Sequence, residues 1–587
     1  MQKRWVVKNQ GDSELVKQLA SELNINYILA NLLVQRNIKT YQEAKSFFRP
    51  QLADLHDPFL MKDMDKAIKR IEQAILKKEK ILIYGDYDVD GTTAVALVFS
   101  FFKKLFKNNI DYYIPDRYKE GYGISIASID FAEENDFKLI ISLDCGIKAV
   151  EQVKYANSKK IDFIICDHHR PGDELPPAAA VLDAKRHDCT YPFKELSGCG
   201  VGFKLICAFA EKNKIPFSEA EQYLDLVAIS IASDIVPILG ENRILAYYGL
   251  KLVNTVPRPG IEAILEFSNI KRKVETPETL KNPSNCIFNR ELSINDLVFL
   301  IGPRLNAAGR IENGKSSVEL LISEEFSLAA ELGLGINSSN NERRNLDTSI
   351  TQQAINMILA DSSLMNGKST VIFHPDWHKG VVGIVASRLT ETYYRPTIVL
   401  TQSNGLITGS ARSIKDFDIY DAIDECSDLL EHFGGHKYAA GLSLKPENLA
   451  AFRKRFEEIV INTITDEMLT PEIEIDECIN LNEITPKFYD VLKQFAPFGP
   501  ENMAPVFQTN TVIDKGYARL VGSNHLKLSV SQPGYTEKYF GAIAFQQAEH
   551  LPYISKKIPF NICYHIDENE WNGMTSLQLN VKDIKLH

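Results

Sequence analysis

The chain has 587 residues, too many for one hydrophobic core, and about three to four domains are expected. Its composition is ordinary for a globular protein (44% hydrophobic, 24% charged, 10% aromatic), and no run of about 18 apolar residues offers a membrane span. The net charge of −11 does not exclude nucleic-acid binding, because a phosphate groove needs only a local basic lining. Nine cysteines without a CxxC argue against a disulfide framework or a zinc ribbon. The N-terminus, MQKRWVVKNQGDSELVK, is basic but has no apolar h-region, so a cytoplasmic location is expected.

In chain order, residues 1–65 read as a mostly helical segment. From Lys80 the pattern becomes short apolar runs, ILIY (81–84), LIISL (139–143), DFIIC (162–166) and AAAVLD (178–183), separated by stretches such as TAVALVFSFFKKLF. Alternation of this kind predicts a parallel α/β sheet, and a catalytic domain over 66–315. Residues 316–365 are polar and helical, and predict a connecting helix broken near Gly333–Gly335. A second α/β domain is expected over 366–468, its glycines clustered at the ends of apolar runs. From 469 to 587, alternating segments such as HLKLSVS and YFGAIAF predict five or so strands of a small OB-like β-barrel.

The chemistry concentrates where strands end. Asp86, Asp88 and Asp90 lie within DYDVDG, after ILIYG and before a helix. Three carboxylates so close repel one another unless a cation neutralises them. DxDxDG also opens an EF-hand loop, but Leu97 stands where that loop needs a bidentate Glu, and a strand precedes it rather than a helix. Asp144 follows the second strand, and Asp167-His168-His169 the third. Ligands of open α/β sheets gather outside the carboxyl ends of strands, so three such endings converge on one site. Asp234, in ASDIVPI at the end of an apolar helix, is a fourth contributor. Carboxylates with imidazole suit Mn²⁺ or Mg²⁺, and so many anionic ligands point to two ions and hydrolysis of phosphoesters.

DYDVDGTTA, LDCG, DHH and SDIVP, in this order, resemble the four motifs of the DHH phosphoesterase superfamily. The resemblance implies metal ligation by Asp86 or Asp88, Asp90, Asp144, His168 and Asp234, with Asp144 bridging the ions. It leaves open which of Asp86, Asp88 and Asp90 serves which ion. His169 is implied to orient the site or touch the scissile phosphate, and Asp88, Asp90, Asp144, His168 and His169 form the implied catalytic set. Further segments narrow the likeness to the RecJ family of single-strand-specific exonucleases. IPDRYKEGYG implies Arg117 near the DNA end, and GPRLNAAGRI implies contacts from Arg304, Asn306 and Arg310. GSARS and FGGHKYAAG resemble the DHH-associated domain, with Ser410, Arg412 and His436 facing the substrate. FAPFGPENMAPVF leads into the β-rich segment, as it does in that family.

The resemblance implies a 5′→3′ exonuclease on single-stranded DNA that acts in repair and recombination and releases nucleoside 5′-monophosphates. It implies two divalent cations and no ATP, and a monomer whose partners include single-stranded-DNA-binding protein and a helicase. GRIENGKS (309–316) matches the P-loop expression, but PRLNAA before it is not a strand, so no nucleotide site is expected. GCGVG (198–202) has the wrong spacing for a dinucleotide fold and reads as a helix start set close to its neighbour. Phe540, Phe545 and Trp571 are candidate base platforms, with burial in the barrel core the alternative.

Overall fold

The computed structural model describes residues 3–106, 109–273, 286–311, 313–534, 538–571 and 574–586. It divides into two units, Leu52–Leu469 and Met1–Gln51 with Thr470–His587. The N-terminal segment is therefore part of the C-terminal unit. Its strand β1 (Arg4–Val7) pairs in parallel with residues 472–475. Helices α1 (Ser13–Leu23), α2 (Tyr27–Gln35) and α3 (Tyr41–Phe48) share one apolar core with the C-terminal strands.

In the larger unit, α4 (Met64–Lys77) precedes β2 (Lys80–Gly85), α5 (Val89–Phe106) and β3 (Ile110–Tyr113). There follow α6 (Ile126–Glu134), β4 (Phe137–Leu143), α7 (Val150–Ser158), β5 (Asp162–Cys166), β6 (Ala180–Leu182) and α8 (Gly198–Lys212). The strands form one parallel sheet in the order β3-β2-β4-β5-β6. β4 and β5 are almost continuously buried because helices cover both faces, which explains their unbroken apolar runs. Among the helices that follow, Leu224–Ser233 is buried along its length.

The connecting segment differs from expectation. One helix, Phe326–Ala360, runs unbroken through Gly333 and Gly335, and the interruption falls earlier, at residues 323–325. Gly333 is tolerated because it packs against Ala263, where an added Cβ would stand at 3.4 Å. The second α/β region forms a mixed sheet in the order β10-β11-β9-β8-β7, from β7 (Thr370–Phe373), β8 (Thr397–Ser403), β9 (Leu406–Arg412), β10 (His432–His436) and β11 (Ala439–Leu444). The helix Val382–Tyr393 packs on it.

In the smaller unit, β12 (Glu472–Ile475) is the partner of β1. Seven further strands follow, more than the five or so expected: β13 (Glu477–Cys478), β14 (Phe507–Asp514), β15 (Arg519–Val521), β16 (His525–Ser531), β17 (Tyr539–Ala544), β18 (Phe560–Trp571) and β19 (Met574–Leu586). Their order is β13-β14-β18-β19-β17-β16-β15, and a short pairing of β14 with β16 links the ends of the run in OB-like fashion. The motif FAPFGPENMAPVF is a clasp inside this unit. Buried Asn502 donates to the carbonyls of Phe495 and Pro497, and accepts from Arg36, which caps the end of α2, at 2.9 Å. Phe540 is core, whereas Phe545 is 52% exposed; the Trp571 side chain lies outside the described residues.

Candidate metal centre and nucleic-acid interface

Four adjacent parallel strands each run directly into an aspartate: β2 into Asp86, β4 into Asp144, β5 into Asp167 and β6 into Asp183. The sequence alone points to three of these endings. Asp183 closes a run already legible as a strand, and Asp167 was visible only as part of the DHH triplet. Asp144 sits at φ 59°, a left-handed conformation that Asp tolerates better than most residues, and its amide still donates to the Cys166 carbonyl.

The start of α8 builds the other wall. The first-turn amides of Gly198 and Cys199 donate to the two oxygens of Asp90 at 2.7 and 2.8 Å, and Ser230 donates its hydroxyl at 2.7 Å. A buried carboxylate is thus held against the positive end of a helix. The glycines of GCGVG allow the approach, since a Cβ on Gly198 would stand 2.6 Å from the Asp144 Cβ. Sequence patterning finds the close helix start but not the hydrogen bonds that it makes.

His168 Nε2 lies 3.2 Å from Asp144 Oδ1, 3.6 Å from Asp234 Oδ2 and 3.7 Å from Asp90 Oδ2. Around one octahedral ion, donors at about 2.0–2.1 Å stand roughly 3 Å apart, so these atoms have the spacing of a shared ligand shell. Asp90, His168 and Asp234 form one group that could hold a metal ion, and Asp144, His168 and His169 another. Among the described residues, Asp144 Oδ1, Asp86 Oδ2 and both ring nitrogens of His168 are buried without a hydrogen-bond partner. Orphaned buried acceptors of this kind are costly unless a cation fills them. Oxygen and imidazole donors fit Mn²⁺ or Mg²⁺. Burial, with the neighbouring carboxylates Asp86 and Asp90 respectively, holds the thiols of Cys145 and Cys199 well above their usual range, so they remain protonated.

Electrostatics demand the same cation. Burial and then the charges of Asp90 and Asp88 push Asp144 up, and the same causes lift Asp234 to about 8. Burial followed by Asp88 raises Asp86, and burial followed by Asp90 raises Asp88. His169 behaves oppositely. Burial works against its charge, but the 2.7 Å contact of its Nδ1 with Asp167 outweighs that and holds it at about 9. Asp167 also accepts from the amides of Ile147, His168 and His169. His169 is therefore a protonated donor at neutral pH, with the Tyr122 hydroxyl 3.4 Å from its Nε2.

Arginines from four segments gather nearby in the same unit. Burial first, then the charges of Arg117, Arg343 and Arg412, lower Arg310 to about 10. Among the described residues none of these four makes an ion pair. Arg117 lies over the Tyr87 ring at 5.0 Å, and Arg310 donates to the Gly380 carbonyl at 2.9 Å. Ser410 and Arg412 share one face of β9, with Arg412 Nη1 donating to Ser410 Oγ at 2.7 Å. Asn306 lines a cavity with Arg310 and Arg343.

Arg304 and His436 occupy different settings. Arg304 is only 8% exposed and donates to the Leu300 carbonyl, Asn337 Oδ1 and the Phe267 carbonyl, so it packs helices together. His436 lies on an exposed hairpin, where it accepts from the Tyr438 amide at 3.4 Å. Arg343 had no signal in the sequence, because a polar helix does not reveal which of its faces meets a site. The P-loop look-alike is the end of one helix, Gly302–Ile311, and the start of another, Lys315–Ile322, with no strand entering it.

Gly198→Ala should weaken Mn²⁺ binding about 10–100-fold while the protein remains folded, because the new methyl group displaces a ligand without removing it. Calorimetric titration with Mn²⁺ checks this, and unchanged affinity would mean that the α8 start does not position the centre.

The chain matches three family profiles: "DHH family, N-terminal domain" over residues 80–231, "DHHA1 domain" over 366–462 and "RecJ OB domain" over 475–583. It is 38% identical to the single-stranded-DNA-specific exonuclease RecJ of Bacillus subtilis, over 99% of this chain and 70% of that protein. It is 32% identical to the Escherichia coli protein of the same name, over 95% of each. The crystal structure of RecJ from Thermus thermophilus in complex with Mn²⁺ superposes with a TM-score of 0.82 at 24% identity, covering 100% of this chain and 80% of that one, which shows a shared fold. With the DHH, DHHA1 and OB segments in the same order and this identity along nearly its whole length, the chain belongs to the RecJ family.

Proposed function

We propose that this protein is a single-strand-specific 5′→3′ exodeoxyribonuclease that releases nucleoside 5′-monophosphates, uses Mn²⁺ or Mg²⁺ and needs no ATP. The observation that carries this reading is a buried carboxylate–histidine cluster with orphaned acceptors, in the same unit as four arginines that make no ion pair among the described residues. A cluster of arginines in the same unit as a cation site fits a polyanion whose phosphodiester is the reacting group.

Asp86, Asp88, Asp90, Asp144, His168 and Asp234 are the proposed metal ligands. When bound, a pair of divalent cations supplies an activated water and neutralises charge on the attacking and leaving oxygens. The chain's own groups do the rest. The α8 amides fix Asp90, and Asp167 fixes the tautomer and orientation of His169. Protonated His169 is the proposed donor to a non-bridging phosphate oxygen. Residues 66–315 are assigned to catalysis, 316–365 to the connection, 366–468 to the DHH-associated domain, 469–587 to OB-like strand binding, and 1–65 to a helical extension. All nine cysteines are free, and seven are buried, which supports a reducing, cytoplasmic setting. A role in repair and recombination beside single-stranded-DNA-binding protein and a helicase, as a monomer, completes the proposal.

The test is digestion of end-labelled single- and double-stranded DNA with Mn²⁺, Mg²⁺ or chelator. Mononucleotides should be released from the 5′ end of single strands, only with metal. Release from the 3′ end would overturn the polarity.

Polarity needs a group that recognises the 5′ terminus, and Arg117, Ser410 and Arg412 are the proposed holders of a terminal phosphate. Two planar forks and a hydroxyl suit its three oxygens. Arg412→Ala should slow cleavage of 5′-phosphorylated strands roughly 10–100-fold, the value of a charge-assisted hydrogen bond, and narrow their advantage over 5′-hydroxyl strands. A 3′-labelled strand with each 5′ terminus measures both, and an undiminished phosphate preference would remove Arg412 from that role.

A further inference from the structure

A second cavity, of about 640 Å³, lies in the larger unit, lined by Tyr118, Gln353, His374, Trp377, His378 and Lys379 among others. That volume falls within the roughly 300–1,000 Å³ of small-molecule sites. The long connecting helix contributes Leu346, Ile350 and Gln353, and the turn between β7 and the helix Val382–Tyr393 contributes the histidines, Trp377 and Lys379. The turn is held in place. The Thr401 hydroxyl donates to the carbonyls of Pro375 and Trp377 at 3.2 and 2.6 Å, and the Trp377 indole donates to Gln353 Oε1 at 3.0 Å.

Most of the polar lining offers donors. His374 Nδ1 accepts from the Asp376 amide at 3.3 Å and His378 Nδ1 from the Gly380 amide at 3.1 Å, so each ring carries its proton on Nε2. The His374 ring is backed by the Trp377 indole, 5.5 Å away and nearly parallel at 21°. Burial holds His378 below its ordinary value, with Glu342 opposing and Arg117 adding to the effect, so at neutral pH it is an uncharged donor. Lys379 is exposed and makes no ion pair among the described residues. Asp376, the carboxylate of the lining, is exposed as well, while Leu346, Ile350 and Pro375 supply an apolar patch. Two imidazole donors and an ammonium beside apolar side chains suit a planar, partly apolar molecule that carries an anionic group. The cavity also backs onto the arginine cluster. Tyr118 follows Arg117 in the chain, its hydroxyl donates to the Arg310 carbonyl, and Arg310 donates to the carbonyl of Gly380, the residue after Lys379.

We propose that this cavity binds a free nucleoside 5′-monophosphate, its phosphate on Lys379 and the two imidazole Nε2–H groups and its base against Leu346, Ile350 and Pro375. The proposal rests on the reading of the protein as an exonuclease, whose reaction releases such a nucleotide beside the cavity. The site shares no residue with the metal centre or with the proposed holders of the terminal phosphate, Arg117, Ser410 and Arg412. A strand and a released nucleotide can therefore occupy the protein together, and occupancy of the cavity rises as product accumulates.

The experiment is calorimetric titration of the full chain with dAMP and dTMP, in chelator so that no strand is consumed. A saturating 5′-phosphorylated single strand is present, so that the metal centre and the terminal-phosphate holders are already occupied. One nucleotide should still bind per chain. His378→Asn keeps an acceptor for the Gly380 amide but removes the Nε2 donor, and should weaken that binding roughly 10–100-fold, the value of a hydrogen bond to a charged group. Lys379→Ala should weaken it by about two- to fivefold, as befits an exposed charge. Deoxyadenosine and inorganic phosphate each lack half of the ligand, and each should bind roughly tenfold or more weakly than dAMP. Melting curves of the variants exclude unfolding as the cause. Absence of binding beside a saturating strand, or binding that both variants leave unchanged, would overturn the site. Inorganic phosphate binding as tightly as dAMP would overturn it equally, by showing a general anion site. Either result leaves the exonuclease reading intact while wild type digests single strands in Mn²⁺. Failure of that digestion would instead remove the reading, and with it the origin of the nucleotide.

Discussion

Asp144→Ala is expected to abolish hydrolysis while fold and strand binding persist. Asp144 lies at the end of a central strand, and its Oδ1 is 3.2 Å from His168 Nε2 and buried without a hydrogen-bond partner. Its neighbours Asp88, Asp90 and Asp234 all act on its charge. Altering groups that merely support a ligand costs about 10–100-fold, so losing this one should exceed the upper end of that range. The residue contributes little to the fold, because a buried carboxylate among like charges is unfavourable without a cation. Thermal melts should show this directly. Mn²⁺ at a hundredfold excess over its dissociation constant stabilises wild type by about 2.7 kcal/mol, and the variant should lose most of that gain. Wild-type rates in Mn²⁺ from a folded Asp144→Ala protein would sink the two-metal reading.

Glu241→Ala should cost the larger unit about 3–5 kcal/mol, because it leaves a lysine ammonium buried without its partner. Lys204 and Glu241 are 2% and 1% exposed in their side chains, and their charged atoms lie 2.5 Å apart. Both residues make further hydrogen bonds. Lys204 also donates to the His56 carbonyl, while Glu241 accepts from the His56 amide and from the Tyr191 hydroxyl. Lys204 sits on α8, six residues after the glycine whose amide holds Asp90, so the pair anchors the helix that shapes the metal centre. The loss should therefore appear twice, as a lower urea midpoint and as weaker Mn²⁺ binding at temperatures where the variant is folded. Replacing both residues by apolar ones of similar volume should recover most of the stability, since a buried pair adds little beyond what its removal exposes. A change below about 1 kcal/mol in the single variant would show that water reaches Lys204.

The metal centre was legible because its chemistry is local. An aspartate directly after an apolar run lands at the carboxyl edge of a parallel sheet whatever the rest of the chain does, and Asp86, Asp144 and Asp167, with His168 beside it, follow from that rule. The arginine interface was only partly legible. Arg310 and Arg412 lie in motifs, but the same motif reading also nominates Arg304, whose guanidinium is held by carbonyls inside the helical packing. A one-dimensional pattern cannot separate two arginines six residues apart that sit on different faces of their surroundings.

What the sequence by itself determined is the strand–helix alternation, the acidic strand ends and their order, because hydrophobic periodicity and residue chemistry act over a few residues. What only the tertiary structure decided depends on contacts between distant segments. These are the capture of Asp90 by the α8 amides, the unbroken helix through Gly333 and Gly335, and the pairing of β1 with β12 across more than 460 residues. The approach of Arg343 to Arg310 belongs with them. Each is set by which faces meet once the cores are packed, and packing is a property of the whole chain rather than of any window within it.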